Sequence, residues 1–294
     1  MNKLFLYSNI FIIFFLIIFS IIDFNLYFNP IDQLSYYLYI IFFIYLMILT
    51  IYKKFINIPF IIFLFLLAFF KFFNNSFDEE INYDLNNNIL KTVTFNLNLK
   101  NNNFDSSYFF KKDLYKDVYC FQEVSNKNFI KIKDKLKKYF YSHKIEEVNK
   151  WSSLIFSKFK LFDTKIYNNH TSSFIKINNF KILIICSHFN IFHNETLHLI
   201  NSIITKSDTK NILILGDFNS APYSNHFKKF TNLIDFKTYY NPLKPYNTWP
   251  SFLPNFLRIQ IDNFLFKGNF KITNISVGKN FKSDHLPLYV DLKY

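Results

Sequence analysis

"NILILGDFNS", residues 211–220, is an aliphatic run that stops on a glycine, a carboxylate and an amide. The chain has only three glycines in 294 residues, so Gly216 marks a corner with a special backbone need. The pattern predicts a strand that ends in a tight turn and presents Asp217 and Asn219 from its tip. Glycine there supplies angles that other residues reach only with strain.

Other apolar runs finish the same way. "TVTFN" ends on Asn96, "VYCFQE" on Gln122-Glu123, and "ILIICSH" on His188. "IQID" carries Asp262 within a strand, and "FKSDHLPLYV" places Asp284-His285 at the entry of the last one. Singly, each has an ordinary explanation: a solvated carboxylate, a plain turn, or a helix cap at Ser283-Asp284. Together they are the equipment of a metal-assisted phosphoester site. Oxygen ligands hold a hard cation, and imidazoles move protons.

From about residue 89 the apolar runs have strand length and alternate with polar turns. Lysine-rich stretches at 125–140 and roughly 192–206 read as surface helices. Strands mixed with helices over some two hundred residues predict one α/β or α+β domain. The preceding region is different. Segments at about 4–22, 35–52 and 55–72 have the length and apolarity of transmembrane helices. Residues 1–73 therefore read as a membrane region, 74–88 as a linker and 89–294 as the catalytic domain. Lys3, Lys53 and Lys54 place the N-terminus in the cytoplasm by the positive-inside rule, so the domain is expected outside.

The formal charge is +13, but 33 of the 34 basic residues are Lys, alongside abundant Asn, Ile, Phe and Tyr. An AT-rich coding sequence favours that set, so the charge is weak evidence of a polyanionic partner. Two cysteines, Cys120 and Cys186, supply neither a disulfide framework nor a zinc site. Both lie in apolar runs and read as buried packing thiols. His193 and His198 read as surface residues, because a five-residue spacing from His188 turns successive rings about 140° apart on a helix. Trp151 and Trp249 read as packing rather than base-stacking residues, with a place lining a substrate groove left open for Trp249. A transporter would need intramembrane charge or broken helices, which these spans lack apart from Pro59.

The ordered motifs "TFN", "FQEV", "CSHF", "LGDFNS", "IQIDNFLF" and "SDHLP" resemble those of the endonuclease/exonuclease/phosphatase superfamily, the deoxyribonuclease-I-like fold. "TWPS" (248–251) is similar to its membrane-anchored branch. The resemblance implies a four-layer sandwich, two packed mixed β-sheets flanked by helices, here preceded by three transmembrane helices. It implies that Glu123, Asn96 and Asp284 hold Mg2+ or Mn2+. It makes His285 the general base, oriented by Asp262, with Asp217 orienting the attacking water and Asn219 and His188 on the phosphate. Arg258 stands two residues further from Ile-Asp than in many relatives and is left outside this set. The implied activity is hydrolysis of a phosphoester, a diester rather than a monoester, on a nucleic acid or a phospholipid head group. The bilayer is met through residues 4–72, and no protein partner is expected. The competing reading is a non-catalytic membrane protein that keeps the fold for binding.

Overall fold

A computed structural model describes residue 44 and residues 88–101, 103–113, 116–136, 141–142, 153–189 and 195–294. Apart from Ile44, the three apolar spans lie outside these residues. Among the described residues no helix is long and apolar enough to cross a membrane.

Two mixed sheets face one another. The first has the order β10-β11-β1-β2-β4-β3, and the second β5-β6-β7-β8-β9. Its strands are β1 (Ile89–Asn96), β2 (Val118–Gln122), β3 (Tyr141–Ser142), β4 (Leu154–Ser157), β10 (Lys271–Val277) and β11 (Leu288–Lys293). The second sheet has β5 (Phe162–Ile166), β6 (His170–Ile177), β7 (Phe180–His188), β8 (Ile212–Asp217) and β9 (Asp262–Lys267). The central strands are buried on both faces, which explains their near-continuous Ile, Leu, Val and Phe content. Between the sheets lie Leu90, Val118, Ile155, Ile184, Leu213, Phe264 and Val290.

Helices cover the outer faces. Beside the first sheet are α1 (Ser106–Asp113) and α2 (Asn126–Leu136); beside the second are α3 (Glu195–Thr205) and α4 (Asn225–Ile234). Helix α2 covers the expected stretch as far as Leu136, and the remainder to 140 lies outside the described residues; α1 and α4 have no counterpart in the sequence reading. Helix α4 is nonetheless well specified. The Ser224 side chain caps it by accepting from the Phe227 amide, and Phe227, Phe230 and Ile234 bury one stripe at helical spacing. Strands β3, β5 and β10 also escape the sequence reading. Strand β5 has no fully buried residue, so it carries no apolar alternation to detect.

One expectation is corrected. Cys120 in β2 and Cys186 in β7 are not separate thiols; they form a disulfide across the sandwich, with Cα atoms 5.4 Å apart. Both are completely buried. Apolar context told correctly that they are internal, but strands 66 residues apart carry no local sign that they will face each other.

On the outer face of the second sheet, His170 contacts the Ser187 hydroxyl and the Phe189 ring. Burial, helped by the nearby His188, lowers its pKa to about 3. Between pH 6.5 and 3 the unfolded chain therefore binds a proton that the folded chain refuses, and stability falls on acidification. The limiting slope from this one group is about 1.4 kcal/mol per pH unit. Urea unfolding at pH 7 and pH 5 should show a smaller acid loss in His170→Gln than in the wild type. Equal losses would refute the assignment.

Candidate active site at the ends of both sheets

Strand direction gathers the polar ends. β1 and β2 run parallel, with Asn96 opposite Gln122; β7 and β8 run parallel, with His188 opposite Asp217. β9 is antiparallel to β8 and begins with Asp262 opposite Asp217. β11 is antiparallel to β1, so the chain entering it carries Asp284 and His285 past the end of β1. Six segments scattered over nearly two hundred residues thus reach one edge.

All eight residues singled out from the sequence lie there. The Asn96 amide donates to Glu123 Oε1 and to Asp217 Oδ2, each at 2.9 Å, which joins the two sheets through side chains. The Leu99 amide donates to Glu123 Oε2 at 3.1 Å. His188 Nε2 lies 3.5 Å from Glu123 and 3.7 Å from Asp217. Asn219 Nδ2 is 3.1 Å from the same ring nitrogen and also donates to the Phe189 carbonyl. The Asn219 backbone amide donates to Asp217 Oδ1 at 2.8 Å. His285 Nδ1 is 2.8 Å from Asp262 Oδ2, and its Nε2 is 3.7 Å from Asp217.

Asn98 was not anticipated. Its side-chain amide donates to Asp284 Oδ1 at 2.8 Å, and its backbone amide donates to Asn96 Oδ1. It ties the Asp284 carboxylate to the β1 tip. The available signal was the alternation in "FNLN", but polar residues after a strand usually mean only a turn. Trp249 is half-buried, with its ring 6.5 Å from that of His285, so it adjoins the site rather than only filling the core.

Backbone strain collects at this edge. Asn98, Glu123, Asn219 and Lys282 all have positive φ, of 57°, 51°, 46° and 70°. Asn adopts this region readily, whereas a Glu or Lys there is less common. The corner role read for Gly216 changes accordingly. A Cβ on Gly216 would sit 1.9 Å from the Ser187 carbonyl oxygen, so close packing of β7 on β8 demands the glycine. The left-handed residue of that turn is Asn219.

Burial and neighbouring charges oppose one another at the His285–Asp262 pair. Burial would lower the His285 pKa, but Asp262, Asp217 and Asp284 outweigh it and raise the ring to about 10. Burial raises Asp262, against the opposing pull of His285 and of the Thr248 hydroxyl. The dyad therefore holds a proton firmly. Glu123, His188 and Asp217 each bring one ligand atom within 4.8 Å of the others, as do Asp217, Asp262 and His285.

The endonuclease/exonuclease/phosphatase family model matches residues 93–285. No curated protein matches the chain by sequence. Among solved structures, the chain is similar to the endonuclease/exonuclease/phosphatase from Bacteroides vulgatus, with 16% identity and a TM-score of 0.57, covering 70% of this chain and 99% of that one. Truncated Caenorhabditis elegans TDP2 is similar at 13% identity and a TM-score of 0.55, covering 70% and 98%. D. rerio TDP2 complexed with a single-strand DNA product has 11% identity and a TM-score of 0.55, covering 71% and 100%.

Replacing Gly216 by Ala should force β7 from β8 beside the His188–Asp217 pair. Overpacking of this kind costs about 1–3 kcal/mol. A clear drop in Tm is expected for Gly216→Ala, and a wild-type Tm would disprove the close-approach argument.

Proposed function

Since the chain belongs to the endonuclease/exonuclease/phosphatase family, we propose that it is a divalent-metal-dependent phosphodiesterase acting on nucleic acid. The observation that carries this reading is the amide of Asn96 held between Glu123 and Asp217. It brings the oxygen-rich end of one sheet against the His-Asp end of the other.

The residues fit a hard cation. Glu123, Asp217 and Asp284 offer carboxylate oxygens, the donor type that Mg2+ and Mn2+ prefer. The imidazoles of His188 and His285 face these carboxylates, His188 Nε2 at 3.5 Å from Glu123 and 3.7 Å from Asp217, and His285 Nε2 at 3.7 Å from Asp217. Glu123 and Asp284 would hold the cation, with Asn96 fixing the Glu123 carboxylate. When bound, the metal would polarise a phosphoryl oxygen and stabilise charge on the leaving oxygen.

The chain's own groups divide the remaining work. Asp262 accepts from His285 Nδ1, which fixes the tautomer and aims Nε2 toward Asp217. His285 then takes the proton of a water held by Asp217. That role requires the neutral ring, and a cation held by the neighbouring carboxylates would lower the ring's pKa by offsetting their charge. His188 and Asn219 lie side by side and can donate to non-bridging phosphate oxygens.

Nucleic acid is favoured as substrate by the similarity to a protein solved with a single-strand DNA product. The chain is further proposed to be membrane-anchored through residues 4–72, with the catalytic domain outside the cytoplasm. The buried disulfide supports that side, since such bonds persist in oxidising compartments.

The test uses full-length protein in mild detergent on a labelled single-stranded oligonucleotide and on a generic phosphomonoester, with Mg2+, Mn2+ or chelator. Metal-dependent cleavage of the diester is expected, and activity that survives chelation would refute the reading. Glu123→Gln should abolish activity at low metal. His285→Ala should lose about 10²–10⁴-fold. Asp262→Asn combined with His285→Ala should cost little more than His285→Ala alone, because the pair acts as a unit. Full additivity would separate the two residues.

A further inference from the structure

The disulfide lies directly beneath the site, and its surroundings connect it to both halves. Cys120 precedes Gln122-Glu123 on β2, and Cys186 is two residues before His188 on β7. Two residues of strand are about 7 Å, and alternation aims Cys186 and His188 to the same inner face. The bond joins strands that belong to different sheets. Above it, the contacts that assemble the site are also cross-sheet: Asn96 to Asp217 at 2.9 Å and His188 to Glu123 at 3.5 Å.

The layer between the bond and the site is filled. Gln122 is fully buried, and its side-chain amide lies 2.8 Å from Cys120 Sγ and 3.5 Å from Cys186 Sγ. The same amide donates to the Thr94 hydroxyl at 3.0 Å, two residues before Asn96 on β1. Strands β1, β2 and β7 therefore meet at one side chain resting on the disulfide. Apolar packing, which holds the sheets elsewhere, is non-directional. At this level a covalent bond fixes the separation of β2 and β7.

We infer that the Cys120–Cys186 disulfide is a positioning clamp for the metal-binding end of the site. The inference rests on the functional reading above. Opening the bond replaces a covalent contact between the sulfurs by a van der Waals contact, which needs more room. A close-packed interior has no spare room for that difference. Gln122 and the strand carbonyls around the sulfurs obstruct simple rotation, so opening the bond moves β2 from β7. The displacement reaches Glu123 and His188, and the carboxylate arrangement that would receive a cation loosens.

The test uses full-length detergent-solubilised protein and Mn2+ as probe. Alkylation in denaturant without reductant, read by mass spectrometry, should label neither cysteine; labelling of both overturns the proposal. The Mn2+ concentration giving half of the Mn2+-induced rise in Tm is then compared for the oxidised protein and the protein reduced with a phosphine. The same measurement is made on Cys120→Val/Cys186→Ala, which fills the space without the bond. Circular dichroism confirms that each is folded. The concentration should rise about 10–100-fold without the bond, the range seen when groups supporting metal ligands are lost. Reoxidation should restore the wild type and leave the double variant unchanged. If the variant does not fold, the reduced and reoxidised wild type decide. A lower Tm with an unchanged Mn2+ requirement would make the bond a staple only and overturn the clamp. An oxidised protein with neither a Mn2+-induced Tm rise nor hydrolysis would defeat the metal-site reading, and the clamp with it.

Discussion

The Asn96 side chain is the point on which the site depends. It leaves the tip of β1 and donates to a carboxylate of its own sheet and to one of the facing sheet. Without such a bridge, Glu123 and Asp217 would bring two carboxylates together where Asp217 is buried and Glu123 only partly exposed. Their proximity is what makes the place attractive to a cation, and the amide keeps it tolerable in its absence. Asn96 itself is fixed by Asn98 and by Ser283, whose hydroxyl donates to the Asn96 carbonyl.

The proton-handling half draws on both sheets, Asp262 from β9 of the second and His285 from the chain entering β11 of the first. Asp262 and His285 are buried together, and the three carboxylates around the ring hold its proton. Glu123, Asp262 and His285 are held in place by strand ends, close packing and positive-φ turns rather than by mobile loops. Such pre-positioning is what electrostatic catalysis requires, since a group already aimed costs no reorganisation when charge develops.

Aromatic bulk supports this edge from outside. Phe95 on β1 contacts Phe104, Phe109 and Phe281, which joins the segment after β1, helix α1 and the chain approaching Asp284. Phe218 stacks on Phe189 and lies against Phe227 and Phe230 of α4, directly behind Asp217 and Asn219. The compositional bias toward Phe therefore supplies the layers that brace both sides of the turn. Offset and edge-on ring packing fixes geometry better than flexible aliphatic filling.

The sequence by itself determined the strand ends and the chemistry they carry. An apolar run that stops on Asn, Gln-Glu, His or Gly-Asp-Phe-Asn is a local signal, and the order of these runs identified the fold class. It also identified most strands, because central strands buried on both faces must be continuously apolar. It missed β3, β5 and β10, of which β5 has no buried residue to set a periodicity, and it gave no account of α1 or α4. Tertiary structure alone decided which ends meet. Parallel pairing of β1 with β2 and of β7 with β8, and antiparallel entry of β9 and β11, put eight side chains on one edge. It also decided that Gly216 answers to the Ser187 carbonyl, that Asn98 holds Asp284, and that Cys120 bonds to Cys186. Each of these is a contact between residues that only strand pairing or sheet stacking makes neighbours, so no local pattern could announce it.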